Sequence, residues 1–157
     1  MFSSNIVSLF NLLLREVLRF MKVGVQTIVG PAISSLLFLA VFSLALGRTI
    51  ENINGVPLTN FIAPGLIMMT MLQNSFANSA SSIVQAKSQG NIVDTLMAPL
   101  GEIQLTIGYV LGSVVRGIIC GVVTFIGVIF FVNIQIHSFL ALFFYSIMGC
   151  TMMGVLG

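Results

Sequence analysis

Asn74, Asn78, Ser81 and Gln85 recur at a spacing that a 3.6-residue period gathers into one narrow arc. Gln73 and Ser82 flank that arc, while Phe76, Ala80 and Ile83 point away from it. Amides and hydroxyls in apolar surroundings must find hydrogen-bond partners, so the stripe faces protein or a wet cavity. Two roles fit. The stripe is interhelical glue, each amide worth about 1 kcal/mol, or it is one face of a translocation path. The residues alone leave both open. Arg116 is the lone charge in the apolar run 103–132. At 1.5 Å per residue that run is about 45 Å long, against an apolar slab of roughly 30 Å. The favoured reading is that Arg116 lies near the inner headgroups and snorkels, rather than acting as a functional intramembrane charge.

Catalytic chemistry has little to work with. The sequence has no GxxxxGK[ST] phosphate cradle, no HExxH, no GxSxG and no close pair of acids within an apolar run. Glu16, Glu51, Asp94 and Glu102 are read as sitting in loops or at helix edges. A proton- or sodium-coupled carrier usually keeps an acid at mid-membrane, so coupling of that kind is not expected. Cys120 and Cys150 lie in apolar runs without CxxC spacing and read as small hydrophobes. His137 has no acid or cysteine nearby and reads as an interfacial residue. No catalytic residue, no cofactor and no metal ligand is expected, and the energy for any transport should come from another polypeptide.

The elements that must position these residues belong in lipid. Six Lys/Arg and four Asp/Glu among 157 residues make the chain 6% charged and 57% apolar. Mean hydropathy is +1.12. A typical soluble domain carries about 25% charged residues, so a water-soluble domain is excluded, and with no basic cluster nucleic acid is not an expected partner. Residues 5–22 read as an interfacial amphipathic helix. Ile6, Leu9, Phe10, Leu13, Val17 and Phe20 form its apolar face, opposite Ser8, Asn11 and the membrane-surface bases Arg15, Arg19 and Lys22. Four apolar stretches follow, at 23–47, 61–84, 103–132 and 138–157, each near the roughly 20 residues a span needs. Pro31 is expected to kink the first or serve as its opening turn, and Pro64-Gly65 to make an irregular entry to the second. Gly108-x-x-x-Gly112 and Gly117-x-x-x-Gly121 give the third a small-residue face for close packing. Arg15, Arg19, Lys22 and Lys87 fall on one side and Arg48 on the other, which puts the N-terminus and the loop 85–102 in the cytoplasm.

That loop carries Lys87, Gln89-Gly90-Asn91, Asp94, Pro99 and Glu102. Gly90 could open a short helix over 91–97, with Ile92, Val93 and Leu96 on one side and Asp94 on another, ended before Pro99. A small amphipathic helix between two spans is a docking device for a soluble partner.

Several stretches resemble a known family. FIAPGLIMM at 61–69, followed by 90–99, is similar to the inner-membrane permeases of type-2 ABC exporters, and to their YadH-like branch. LLREVLRFMKVGVQ at 13–26 and GYVLGSVVRG at 108–117 add to the likeness. The resemblance implies a six-span permease working as a homodimer or pseudo-dimer. It also implies a coupling helix at 88–99 that docks on a separate ABC ATP-binding subunit. Docking would fall on Gly90, Asn91, Ile92, Asp94, Leu96 and Pro99; the path, read from the polar stripe and not from the resemblance, would fall on Gln73, Asn74, Asn78, Ser81 and Gln85.

The expected architecture is therefore an all-α membrane protein with one transmembrane domain. An interfacial helix and four spans form the front part of a longer, six-span fold in the bacterial inner membrane. The expected function is the non-catalytic permease subunit of an exporter, passing an amphiphile such as a lipid, a lipid-linked glycan or a drug. The competing class is a small helical channel or a membrane assembly scaffold.

Overall fold

The computed structural model describes residues 2–46, 52–53, 56–88, 90, 101–132 and 138–157. Helix α1 covers Phe2–Lys22. It presents three faces rather than two. Leu12, Glu16 and Phe20, four apart, are buried against the bundle. Val7, Phe10, Leu14, Leu18 and Met21 form an outward apolar strip, and Arg15 and Lys22 a separate exposed polar strip. The expected single apolar face thus splits, with Phe20 turned inward and Phe10 outward. Glu16, expected at a helix edge, is only 4% exposed. Its position follows from Leu12 and Phe20, which share its face and pack inward.

A π-helical turn, Val25–Val29, joins α1 to α2, Gly30–Leu46. Pro31 removes an amide donor from the ladder, and the wider turn falls immediately before it. The Thr27 hydroxyl donates to the carbonyls of Phe20 and Val23, at 3.2 and 3.0 Å, and so supports the junction. Asn52–Ile53 (β1) then pairs antiparallel with Val56–Pro57 (β2) in a two-residue ladder.

Helix α3, Leu58–Ser88, is the centre of the bundle, packed by α2 and by two later helices, α4 (Glu102–Ile129) and α5 (Phe139–Leu156). It runs unbroken through Pro64, so the expected irregular entry is absent. The helix starts earlier than anticipated, and a proline in its second turn costs one bond close to the end, where the loss is tolerated. Gly90, at φ +73°, donates its amide to the Lys87 carbonyl and closes the helix in a left-handed conformation that a Cβ would strain. At the other end of α3, Ala63 joins Leu39, Val128 and Val132 in an apolar cluster.

The two glycine pairs of α4 lie on opposite sides of the helix and take different neighbours. Leu12 and Glu16 of α1 rest on Gly108 and Gly112. Met71 of α3 rests on Gly117 and Gly121, and Cys150 of α5 on Gly117. Gln104 caps the start of α4, its Oε1 accepting from the Gly101 amide at 3.2 Å. Ser138 caps α5 by accepting from the Ala141 amide.

Among the described residues, three helical stretches are long and apolar enough to cross a bilayer: Val25–Ala45, Glu102–Ile129 and Phe139–Leu156. The expected span 61–84 falls within α3, whose polar side chains keep it out of that group. Leu37, Phe38, Val41 and Leu44 of α2 and Phe143, Phe144, Met148 and Met152 of α5 are all more than half exposed. Water-soluble monomers rarely expose a coat of that size, and it suits hydrocarbon surroundings.

Candidate functional site

Glu16, Arg19 and Arg116 converge with Asn74, Asn78 and Gln85 where α1, α3 and α4 meet. Glu16 and Arg19, three apart on α1, form an ion pair at 3.0 Å. Arg19 also reaches across to α3. Its Nη2 donates to Asn78 Oδ1 at 3.2 Å and to the Ser82 hydroxyl, and its Nη1 to Gln85 Oε1 at 3.3 Å. Ser82 in turn donates to Glu16 Oε2 at 2.6 Å. From α4, Arg116 donates through Nη1 to Asn78 Oδ1 at 3.4 Å and through Nη2 to Asn74 Oδ1 at 3.5 Å. Asn78 therefore bridges both guanidinium groups with one oxygen, and it is 0% exposed.

Of the expected path residues, Asn74, Asn78 and Gln85 are brought together here. Ser81 is half-buried and bonds only locally, to the Asn78 carbonyl. Gln73 is exposed on the side toward α2. The buried axis of α3 runs through Asn78 and Ser82, roughly 60° round the helix from the centre of the expected stripe. Two serines absent from that stripe do structural work. Ser75 donates to the Cys150 carbonyl and Ser79 to the Gly154 carbonyl, each at 2.7 Å, tying α3 to α5. Their position one residue after Asn74 and Asn78 was the available signal.

Arg116 corrects the snorkelling expectation. It is 9% exposed, halfway along α4, and points at α3 instead of extending toward headgroups. Arg19, expected on the membrane surface, turns inward, while Arg15 and Lys22 stay exposed. Cys120 and Cys150 are both buried and free. Among the described residues no cluster of three or more His, Cys, Asp or Glu side chains exists. The docking residues Asn91, Ile92, Asp94, Leu96 and Pro99, the helix expected at 91–97, and His137 lie outside the described residues; Gly90 is described only as the end of α3.

Beside this cluster a cleft of about 560 Å³ opens between the π-turn, α2 and α3. Arg116 and Asn74 reach it from inside, and Gln26, Ser34 and Gln73 stand at its exposed rim. The Ser35 and Thr70 hydroxyls, 2.5 Å apart, bridge α2 and α3 along its wall.

Helices coated in exposed aliphatic and aromatic side chains, with Glu16, Asn78 and Arg116 buried between them, define a multi-pass α-helical membrane protein. Residues 7–157 match the family model described as ABC-2 type transporter, and the chain belongs to that family. It is similar to the inner membrane transport permease YadH of Escherichia coli K12 and to the same-named protein of Shigella flexneri. Each is 40% identical over 132 residues, which is 84% of this chain and 52% of the relative. The chain thus spans about half the length of the curated relatives it matches. No solved structure matches it.

Proposed function

We propose that this chain acts as the permease part of an ABC exporter in the bacterial inner membrane, moved by a separate ATP-binding subunit. The family match over 7–157 supports that class, and one feature of the geometry supports the coupling. Arg19 of the interfacial helix is fastened to Asn78, Ser82 and Gln85 on the half of α3 that leads into the segment 88–99. A force applied to that segment by a docked ATPase would travel along α3 and move α1 and, through Asn78, α4 as one body. Helix α3 crosses the bilayer in this reading, its polar face shielded by α1, α4 and α5. The segment 88–99 then lies in the cytoplasm with the N-terminus, in keeping with Arg15, Lys22 and Lys87 on that side. Two copies of the permease enclose the path, and the passenger is an amphiphile. Membership of a transporter family weighs against the self-contained channel or scaffold.

Ile92 and Leu96 supply the apolar grip on the ATPase. Replacing both with Asp removes contacts worth about 1.5–3 kcal/mol each when buried, and co-purification of the ATPase is expected to fail. Undiminished recovery of the ATPase with Ile92→Asp/Leu96→Asp would refute the docking role.

A further inference from the structure

We propose that the cleft between α2 and α3 binds the phosphate-bearing headgroup of an anionic amphiphile, with Arg116 as its charge partner. The assignment rests on the membrane-permease reading above and names the chemistry of what such a site would hold.

Charge counting comes first. Among the described residues Glu16 is the carboxylate in the buried cluster, and it is engaged by Arg19 and Ser82. Arg116 has no carboxylate partner in the described ion pairs. Its two bonds, at 3.4 and 3.5 Å, are longer than the usual 2.7–3.2 Å for N–H···O. Its Nε is buried without a hydrogen-bond partner, and so is Nδ2 of Asn78 beside it. The guanidinium is thus held by two neutral amide oxygens with no carboxylate beside it, and a buried charge so held is costly in lipid unless an anion meets it.

The cleft supplies the room. Arg116 forms part of its wall, and among the described residues the lining contains no acid to repel an anion. Gln26, Ser34 and Gln73 add neutral hydrogen-bonding groups at the open rim. Phe38, Leu66 and Met69 line the same cleft and offer an apolar surface to the first part of an acyl chain. About 560 Å³ accommodates a headgroup and not a whole lipid, so the tail must leave along α2. A phosphate matches the requirement better than a neutral sugar. It neutralises the charge and accepts the guanidinium fork with two oxygens while others face the rim.

The experiment is native mass spectrometry of the full chain extracted from bilayers of equimolar phosphatidylcholine and phosphatidylglycerol. The wild-type protein should retain phosphatidylglycerol selectively. Arg116→Gln should lower that enrichment about tenfold or more, the effect of one lost charge-assisted contact, and Arg116→Lys should restore part of it. Gln73→Glu sets a carboxylate at the exposed rim without disturbing the buried cluster, and should lower retention as well even if Arg116→Gln fails to fold. Enrichment that survives both Arg116→Gln and Gln73→Glu overturns the site. So does enrichment that disappears with Arg15→Gln/Lys22→Gln, which touches only surface charge. Adding the ATPase and ATP separates the sources: a passenger is discharged and a resident bilayer lipid stays, and either result keeps the site. Because retention is read without the ATPase, and docking through the Ile92/Leu96 variant, each proposal can fail while the other stands.

Discussion

The Ser82 hydroxyl on α3 donates to Glu16 Oε2 on α1 at 2.6 Å, across 66 positions of sequence. That bond, with the Glu16–Arg19 pair beside it, fastens a helix expected to lie on the membrane surface to the polar centre of the bundle. Helix α1 packs its backbone on α4 and reaches α3 through these long side chains. The consequence is mechanical: α1 cannot rock away from α3 without parting a buried carboxylate and the Arg19 guanidinium from their partners on α3.

Glu16→Gln therefore tests the fastening directly. The amide keeps the shape but removes the charge that Arg19 needs; with the Arg19 side chain 25% exposed, the loss falls below the roughly 3–5 kcal/mol of a fully buried pair. Thermal unfolding of the detergent-solubilised protein should show the midpoint several degrees lower. An unchanged midpoint would mean that Arg19 finds water instead.

The glycines of α4 make a second test. A Cβ added at Gly117 would stand 2.8 Å from Cys150 Sγ and 3.0 Å from the Met71 carbonyl, neither of which can yield cheaply. Gly117→Ala should destabilise the bundle by about 1–3 kcal/mol. Gly65 in α3 has nothing within 4 Å of the same atom. Gly65→Ala should be neutral or raise stability by up to about 1 kcal/mol, since alanine is the better helix former. Similar thermal shifts for both variants would contradict the packing described for α4.

Ser75 and Ser79 bind the carbonyls of Cys150 and Gly154. Such bonds inside a membrane bundle are worth about 0.6–1.7 kcal/mol each. Ser75→Ala/Ser79→Ala should loosen α5 from α3, raising hydrogen exchange in α5 while α1 and α2 are unaffected. Uniform protection across α5 in the double variant would show that the apolar contacts suffice.

Topology can be read by labelling, because the native Cys120 and Cys150 are 0% exposed and should not react. Lys87 and Pro57, at opposite ends of α3, are both exposed. Lys87→Cys should react with a membrane-impermeant maleimide only from the cytoplasmic side, and Pro57→Cys only from the periplasmic side. Labelling of both from one side would rule out α3 as a span.

How much of this was legible in the sequence differs by level. Helices α1, α4 and α5 fall within a few residues of the amphipathic stretch 5–22 and the apolar runs 103–132 and 138–157. The helical period also showed that Asn74, Asn78 and Gln85 share a face. The short ladder between Ile53 and Val56 had its signal in Asn54-Gly55, a pair favoured in tight hairpins. Pro64 misled, because a proline close to a helix start interrupts little.

The sequence by itself determined that the chain lives in lipid, that it is helical, and which side chains lie near one another on each helix. Periodicity fixes angles within one helix and carries nothing about how far that helix is rotated against its neighbours. That rotation is set by pairwise packing, here by Leu12 and Glu16 over the glycines of α4 and by Met71 against Gly117 and Gly121. Only the tertiary structure, therefore, decided that Glu16 and Arg19 face inward, that Arg116 turns to Asn78 rather than to headgroups, and that a cleft opens beside it.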